Sequence, residues 1–121
     1  MKYKLAVVGS RGFDDYFHLK KRLDPLKDKV SVIVSGGAKG ADSLAAKWAN
    51  ENDIPVTVFK PDWDRYGKGA GYKRNQKIIN ECDACIAFWD GQSKGTQHSF
   101  KLCKEMEKPL KVINYKTDPP F

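Results

Sequence analysis

The residues of this 121-residue chain with chemistry to offer fall in four glycine-bearing stretches. These are Gly9-Ser10-Arg11, then Gly36-Gly37-Ala38-Lys39-Gly40-Ala41-Asp42, then Asp62-Trp63 through Gly67, Gly69 and Gly71 to Arg74-Asn75, and last Asp90-Gly91-Gln92-Ser93-Lys94-Gly95-Thr96. Glycines let a backbone approach a ligand closely, and free N–H groups where a turn opens a helix favour an anion. The guanidinium groups of Arg11 and Arg74 fit a phosphate, and either can instead brace neighbouring loops. Asp42, in the first turn of its helix, compensates the helix dipole or accepts a hydrogen bond from a ligand hydroxyl. Asn75 reads as a buried amide that satisfies loop carbonyls. Trp63 and Tyr66, set among Arg65, Lys68 and Lys73, form a stacking platform for a base or an anchor for a long loop. His98 is open between a ligand contact, a general acid and a surface position. Cys82-Asp83-Ala84-Cys85 has metal-ligand spacing, but Cys103 is the sole further thiol, so core cysteines and no metal are expected.

The elements that must position these residues alternate. Lys4–Gly9 is a first strand, followed by a helix from Asp14 or Asp15 to Asp24 with Tyr16, Leu19 and Leu23 as its stripe and Pro25 at its end. Val30, Val32, Ile33 and Val34 make a nearly continuous β-branched run, as in a parallel strand covered on both faces. Ala41, Leu44, Ala45, Trp48 and Ala49 then follow the stripe of a helix lying on a core. A third strand is expected over Ile54–Lys60, a long loop over Pro61–Gly71 and a helix over Tyr72–Glu81. A fourth strand over Ala84–Trp89, a helix over Thr96–Lys108 with Ser99, Cys103 and Met106 inward, and a fifth strand over Leu110–Tyr115 complete the reading, with 116–121 as a short tail.

Strands and helices alternating at this spacing imply right-handed crossovers and one open parallel α/β sheet of about five strands with helices on both faces, for which the usual order, 3-2-1-4-5, is assumed. Every special stretch follows a strand. All four should therefore meet at the carboxyl edge, where open α/β sheets bind ligands, across the switch point between the first and fourth strands.

Composition sets outer limits. The length suits one domain over residues 1–121, and no apolar run approaches the roughly 20 residues of a spanning helix. Without a cleavable signal and with three cysteines, an odd and small set, the expected setting is the cytoplasm, away from membranes. The formal charge of +7 favours anionic partners, nucleotides or nucleic acid.

Taken together, Gly9-Ser10-Arg11, Ser35 through Asp42, Asp62-Trp63, Gly67 through Gly71, Arg74-Asn75 and Gly95-Thr96 resemble the SLOG superfamily of Rossmann-like proteins, most closely its small YspA-like branch. The resemblance implies binding of a nucleotide or nucleotide-derived ligand, some of them signalling molecules. On that basis Gly9, Ser10, Arg11, Gly36, Gly37, Lys39, Gly40, Asp42, Trp63, Arg74, Asn75, Gly91, Gly95 and Thr96 are the candidate ligand contacts. The phosphate is expected on the Gly36–Gly40 and Gly91–Thr96 turns with Arg74, and the base or ribose near Trp63, Ser10 and Asp42. No cofactor is implied beyond that ligand, and homo-oligomers occur among relatives.

Arg74 to Ile78 and Gly95-Thr96 are also similar to the cytokinin-activating phosphoribohydrolases. That family, like the nucleoside deoxyribosyltransferases, carries Gly-Thr-x-x-Glu. Here the pattern ends in Ser99, which cannot supply the carboxylate that N-glycosidic cleavage needs. Asp42 and Asp90, with Arg74, are the remaining catalytic candidates. The Arg-Asn helix and the Ser93-Lys94-Gly95 turn are similar to the DNA-processing DprA family as well, which implies single-stranded nucleic acid as an alternative partner. Residues 60–77 hold six cations against Asp62 and Asp64, in keeping with that alternative.

Overall fold

The computed structural model describes residues 2–118; the end of the tail, Pro119-Pro120-Phe121, lies outside the described residues. Five parallel strands, β1 (Tyr3–Gly9), β2 (Val30–Ser35), β3 (Val56–Val58), β4 (Ala84–Trp89) and β5 (Leu110–Asn114), form one sheet in the order β3-β2-β1-β4-β5. This is the expected order and the Rossmann-like α/β class. β1 is central, with Ala6 opposite Val34 on one side and Cys85 on the other.

The pleat of β1 shows how the two layers arise. Leu5 and Val7 point to one face and Ala6 and Val8 to the other, and all four are buried. The first face is covered by α1 (Tyr16–Leu23) and α2 (Ala41–Glu51), through Leu19, Leu23, Ala45, Trp48 and Ala49. Trp48 is fully buried and its indole N–H donates to Asp24 Oδ1 at 2.9 Å, so its one polar atom is satisfied within the apolar layer. The second face is covered by α4 (Ala70–Glu81) and α5 (Lys94–Glu105), through Ile78, Ile79, Leu102 and Cys103. Cys82, Cys85 and Cys103 are all buried as free thiols in this second layer.

Three expected boundaries are corrected. β3 covers only Val56–Val58, because this edge strand pairs with β2 alone, and β2 ends at Ser35. The expected loop over Pro61–Gly71 is largely helical. Asp62 caps α3 (Trp63–Tyr66) by accepting the Arg65 N–H at 3.1 Å, a 3₁₀ turn covers Gly67–Gly69, and α4 starts at Ala70 rather than Tyr72. α5 spans Lys94–Glu105, since Ser93 rather than Asp90–Gly95 supplies its cap, and Leu102 is buried on its inner face while Met106 lies past its end.

Glycine is required where the loops crowd. A Cβ on Gly9 would collide with the Phe88 carbonyl and the Ala41 side chain, which holds the end of β1 tight against β4 and the start of α2. Gly40, at φ +81°, packs on the Ser10 and Arg11 carbonyls and joins the loops after β1 and β2. Gly9→Ala is expected to cost about 1–3 kcal/mol in urea unfolding, as overpacking does. Gly12→Ala, which meets nothing within 4 Å, should stay within about 0.5 kcal/mol. Equal stabilities would disprove the close contact at Gly9.

Candidate functional site

The loops after β1, β2 and β4 and the first turns of α4 and α5 meet at the carboxyl edge. Between them lies a cleft of about 470 Å³, within the roughly 300–1,000 Å³ typical of small-ligand sites. Its walls include Gly9, Ser10, Arg11, Asp42, Arg74, Asn75, Asp90, Gly95 and Thr96. A second cleft of about 580 Å³ is lined by Gly36, Gly37, Lys39, Lys60 and Trp63, and again by Arg11 and Arg74. Of the candidate ligand contacts named from sequence, Gly40 and Gly91 line neither cleft. Gly40 packs the loops as above. Gly91, at φ +87°, lets Asp90 Oδ1 reach the N–H groups of Gln92 and Ser93, both at 2.8 Å.

Asp42 holds the turn after β2. Its carboxylate accepts the Ala38 N–H at 3.1 Å, while Ser35 Oγ accepts that of Gly37 at 3.2 Å. Two N–H groups of the expected phosphate turn thus have partners inside the protein. An anion is already there, and it is the protein's own. Asp42 is 8% exposed, and burial pushes its carboxyl up to about 6 against the pull of the Ala38 hydrogen bond and the Arg74 guanidinium.

Arg74 and Asn75 carry the connection across the site. Arg74 Nη1 donates to the Gly36 carbonyl at 2.9 Å and Nε to Asn75 Oδ1 at 3.0 Å, while Asn75 Nδ2 donates to the Gly95 carbonyl at 3.4 Å. This chain of bonds runs from the β2 turn to the start of α5. Asn75 is buried and committed to bracing, whereas the Arg74 guanidinium is half-buried and its Nη2 takes no partner among the described residues. Ser10 Oγ accepts the Asp90 N–H at 3.1 Å and ties the β1 loop to the β4 loop.

α5 is likewise capped from within. Ser93 Oγ accepts the Thr96 N–H and hydroxyl, at 3.4 and 3.1 Å. Asp90 stays ionised, its carboxyl held below the usual range by the Ser93 and Gln92 N–H groups. Ser99 is buried in the wall of the first cleft, so the carboxylates lining it are Asp42 and Asp90. Proton transfer near neutral pH is therefore chemically available at Asp42.

His98 lines neither cleft; its Nδ1 lies 3.4 Å from Asn75 Nδ2 and its ring packs on Tyr72. Trp63 does not pin its segment, being 54% exposed. Ala38 and Ser93 fall within the site-bearing turns read from sequence, and Lys60 among the cations of residues 60–77, but none was singled out as a contact; with Gly12 and Pro61 they line the clefts. Ser93 was also legible as a Ser-x-x-Thr helix start.

The raised Asp42 pKa sets a pH dependence of stability. A carboxyl raised by folding contributes stability that is complete below its unfolded pKa of about 4 and is lost as pH rises through its folded value of about 6. Asp42→Asn removes this titration and keeps an oxygen to accept the Ala38 N–H. The variant should gain on the parent protein by on the order of 2 kcal/mol between pH 4 and pH 7.5, read by thermal unfolding at each pH. A constant difference would show that Asp42 does not titrate in this range.

With the geometry in view, the chain can be set beside known proteins. It is 37% identical to the Gene 61 protein of Mycobacterium phage D29 over 128 residues, covering 96% of this chain and 98% of the relative. Among solved structures it superposes on DNA processing protein A from Streptococcus pneumoniae with a TM-score of 0.76 at 21% identity, over 92% of this chain and 50% of that one. On DNA processing protein A from Helicobacter pylori, a structure that concerns single-stranded DNA binding, the TM-score is 0.68 at 26% identity, over 90% of this chain and 64% of that one. The chain thus spans half to under two thirds of these proteins, which share its fold. Among the described residues no helix is long and apolar enough to cross a membrane. A family profile matches residues 3–66, more than half of the chain and inclusive of the β1 loop, the Asp42 turn and Trp63; the chain belongs to the YspA, cpYpsA-related SLOG family.

Proposed function

We propose that this chain binds a nucleotide or nucleotide-derived ligand at the carboxyl edge of its sheet. The observation that carries the reading is the convergence of the β1, β2 and β4 loops on a cleft that pairs two guanidinium groups, Arg11 and Arg74, with two carboxylates, Asp42 and Asp90. Cations meet phosphate; carboxylates accept from ribose hydroxyls and base amino groups. Because the turn after β2 is filled by Asp42, the phosphate rests on the arginine side chains more than on backbone N–H groups.

Titration calorimetry with AMP and GMP tests this. Arg74→Met should weaken binding about ten- to a hundredfold, the worth of a charge-assisted hydrogen bond. Gly36→Ala, whose Cβ would displace the Arg74 guanidinium, should act in the same direction. Unchanged affinity in both variants would remove Arg74 from the site.

A second reading, single-stranded nucleic acid, is favoured by the shared fold with DNA processing protein A and by the cations of residues 60–77. It predicts that affinity for a 20-nucleotide strand falls steeply between about 50 and 200 mM salt as counterions are released. Salt-independent binding, or none, would dismiss it.

A further inference from the structure

The two adjoining clefts differ in charge. The first sets Arg11 and Arg74 against Asp42 and Asp90, while the second gathers Arg11, Lys39, Lys60 and Arg74 with no carboxylate in its lining. Arg11, Ala38 and Arg74 line both, so the chambers share one cationic wall. Lys39 and Lys60 make no ion pair among the described residues.

Trp63 belongs to the second cleft alone. It is half-exposed, and its indole takes no hydrogen bond, ring contact or cation contact among the described residues. Its backbone is nevertheless fixed, on a helix start capped by Asp62. An unpartnered indole on a fixed backbone, beside cations that lack counterions, is a platform for a base whose phosphate those cations hold. A mononucleotide occupying the first cleft reaches the shared wall with its phosphate and leaves this platform empty.

We infer that the second cleft is a subsite for a second base, and that the ligand class is a dinucleotide: two nucleosides joined through phosphate. One nucleoside lies in the Asp42–Asp90 chamber, the linking phosphate lies at Arg11 and Arg74, and the second base stacks on Trp63 with Lys39 and Lys60 beside it. This rests on the nucleotide reading of the first cleft. The same chemistry is presented by a free dinucleotide and by a segment of a single strand.

The test is calorimetry of the parent protein and Trp63→Leu, an exposed position where the fold is retained, with AMP, pApA, the 5′,5′-diphosphate AppA, and adenylate strands of four and twelve nucleotides. At least one of the two dinucleotides should bind about tenfold or more tighter than AMP. Trp63→Leu should remove most of that gain and leave AMP within twofold. A gain that stops at two nucleotides identifies a free dinucleotide; a gain that continues with length identifies a strand, and the second subsite stands in either case. AMP binding with no dinucleotide advantage, or a Trp63→Leu loss shared equally by AMP and the dinucleotides, overturns the second subsite while sparing the nucleotide reading. No binding by any of these compounds overturns both.

Discussion

The carboxyl edge of this protein depends on one buried carboxylate. Asp42 sits inside the turn after β2, takes the Ala38 N–H, and is 8% exposed. Burying an ion is unfavourable unless hydrogen bonds and opposite charge compensate. Here the Ala38 N–H and Arg74 do so in part, and burial still leaves the carboxyl raised to about 6. The guanidinium, in turn, is held by the Gly36 carbonyl and by Asn75, and Asn75 by the start of α5. Removing the carboxylate would free a turn on which three elements lean.

This arrangement redirects the chemistry of the site. A glycine-rich turn that opens a helix ordinarily offers its N–H groups to an incoming anion. In this fold Asp42 occupies the turn after β2, and Ser93 and Asp90 occupy the one before α5. Anion recognition therefore falls to side chains. Arg11 and Arg74 serve both clefts, and the lysines extend the cationic surface toward Trp63. The Arg74 guanidinium, held by the Gly36 carbonyl and by Asn75, keeps its geometry without a ligand, which lowers the ordering cost of binding.

The parts of this account that the sequence disclosed are those with a local cause. Apolar runs leading into glycine turns marked β1, β2 and β4, and the short spacing of their helices implied the parallel sheet. Leu44, Ala45, Trp48 and Ala49 disclosed the inward face of α2, and Ile78 and Ile79 that of α4, with Arg74 and Asn75 at its open end. What stayed hidden has a physical reason too. Gly67, Gly69 and Gly71 outweighed the cap at Asp62, so a helical segment read as a loop. Ile54 and Phe59 extended β3 on hydrophobicity alone, although the edge strand is limited by the length of β2. The partition into two clefts was illegible, because it depends on which side of the Arg11–Arg74 wall each loop residue faces. So was the occupation of the β2 turn by Asp42, where dipole compensation and ligand contact share one sequence signature.

The central claim is that a nucleotide occupies the carboxyl edge, and amide chemical-shift mapping of this 13.7 kDa protein during titration with AMP tests it most directly. The account predicts saturable shifts concentrated at Ser10–Gly12, Ala38–Lys39, Arg74-Asn75 and Gly95-Thr96. Shifts confined to the opposite edge, around Tyr3, Leu110 and Lys111, or none at millimolar nucleotide, would contradict it.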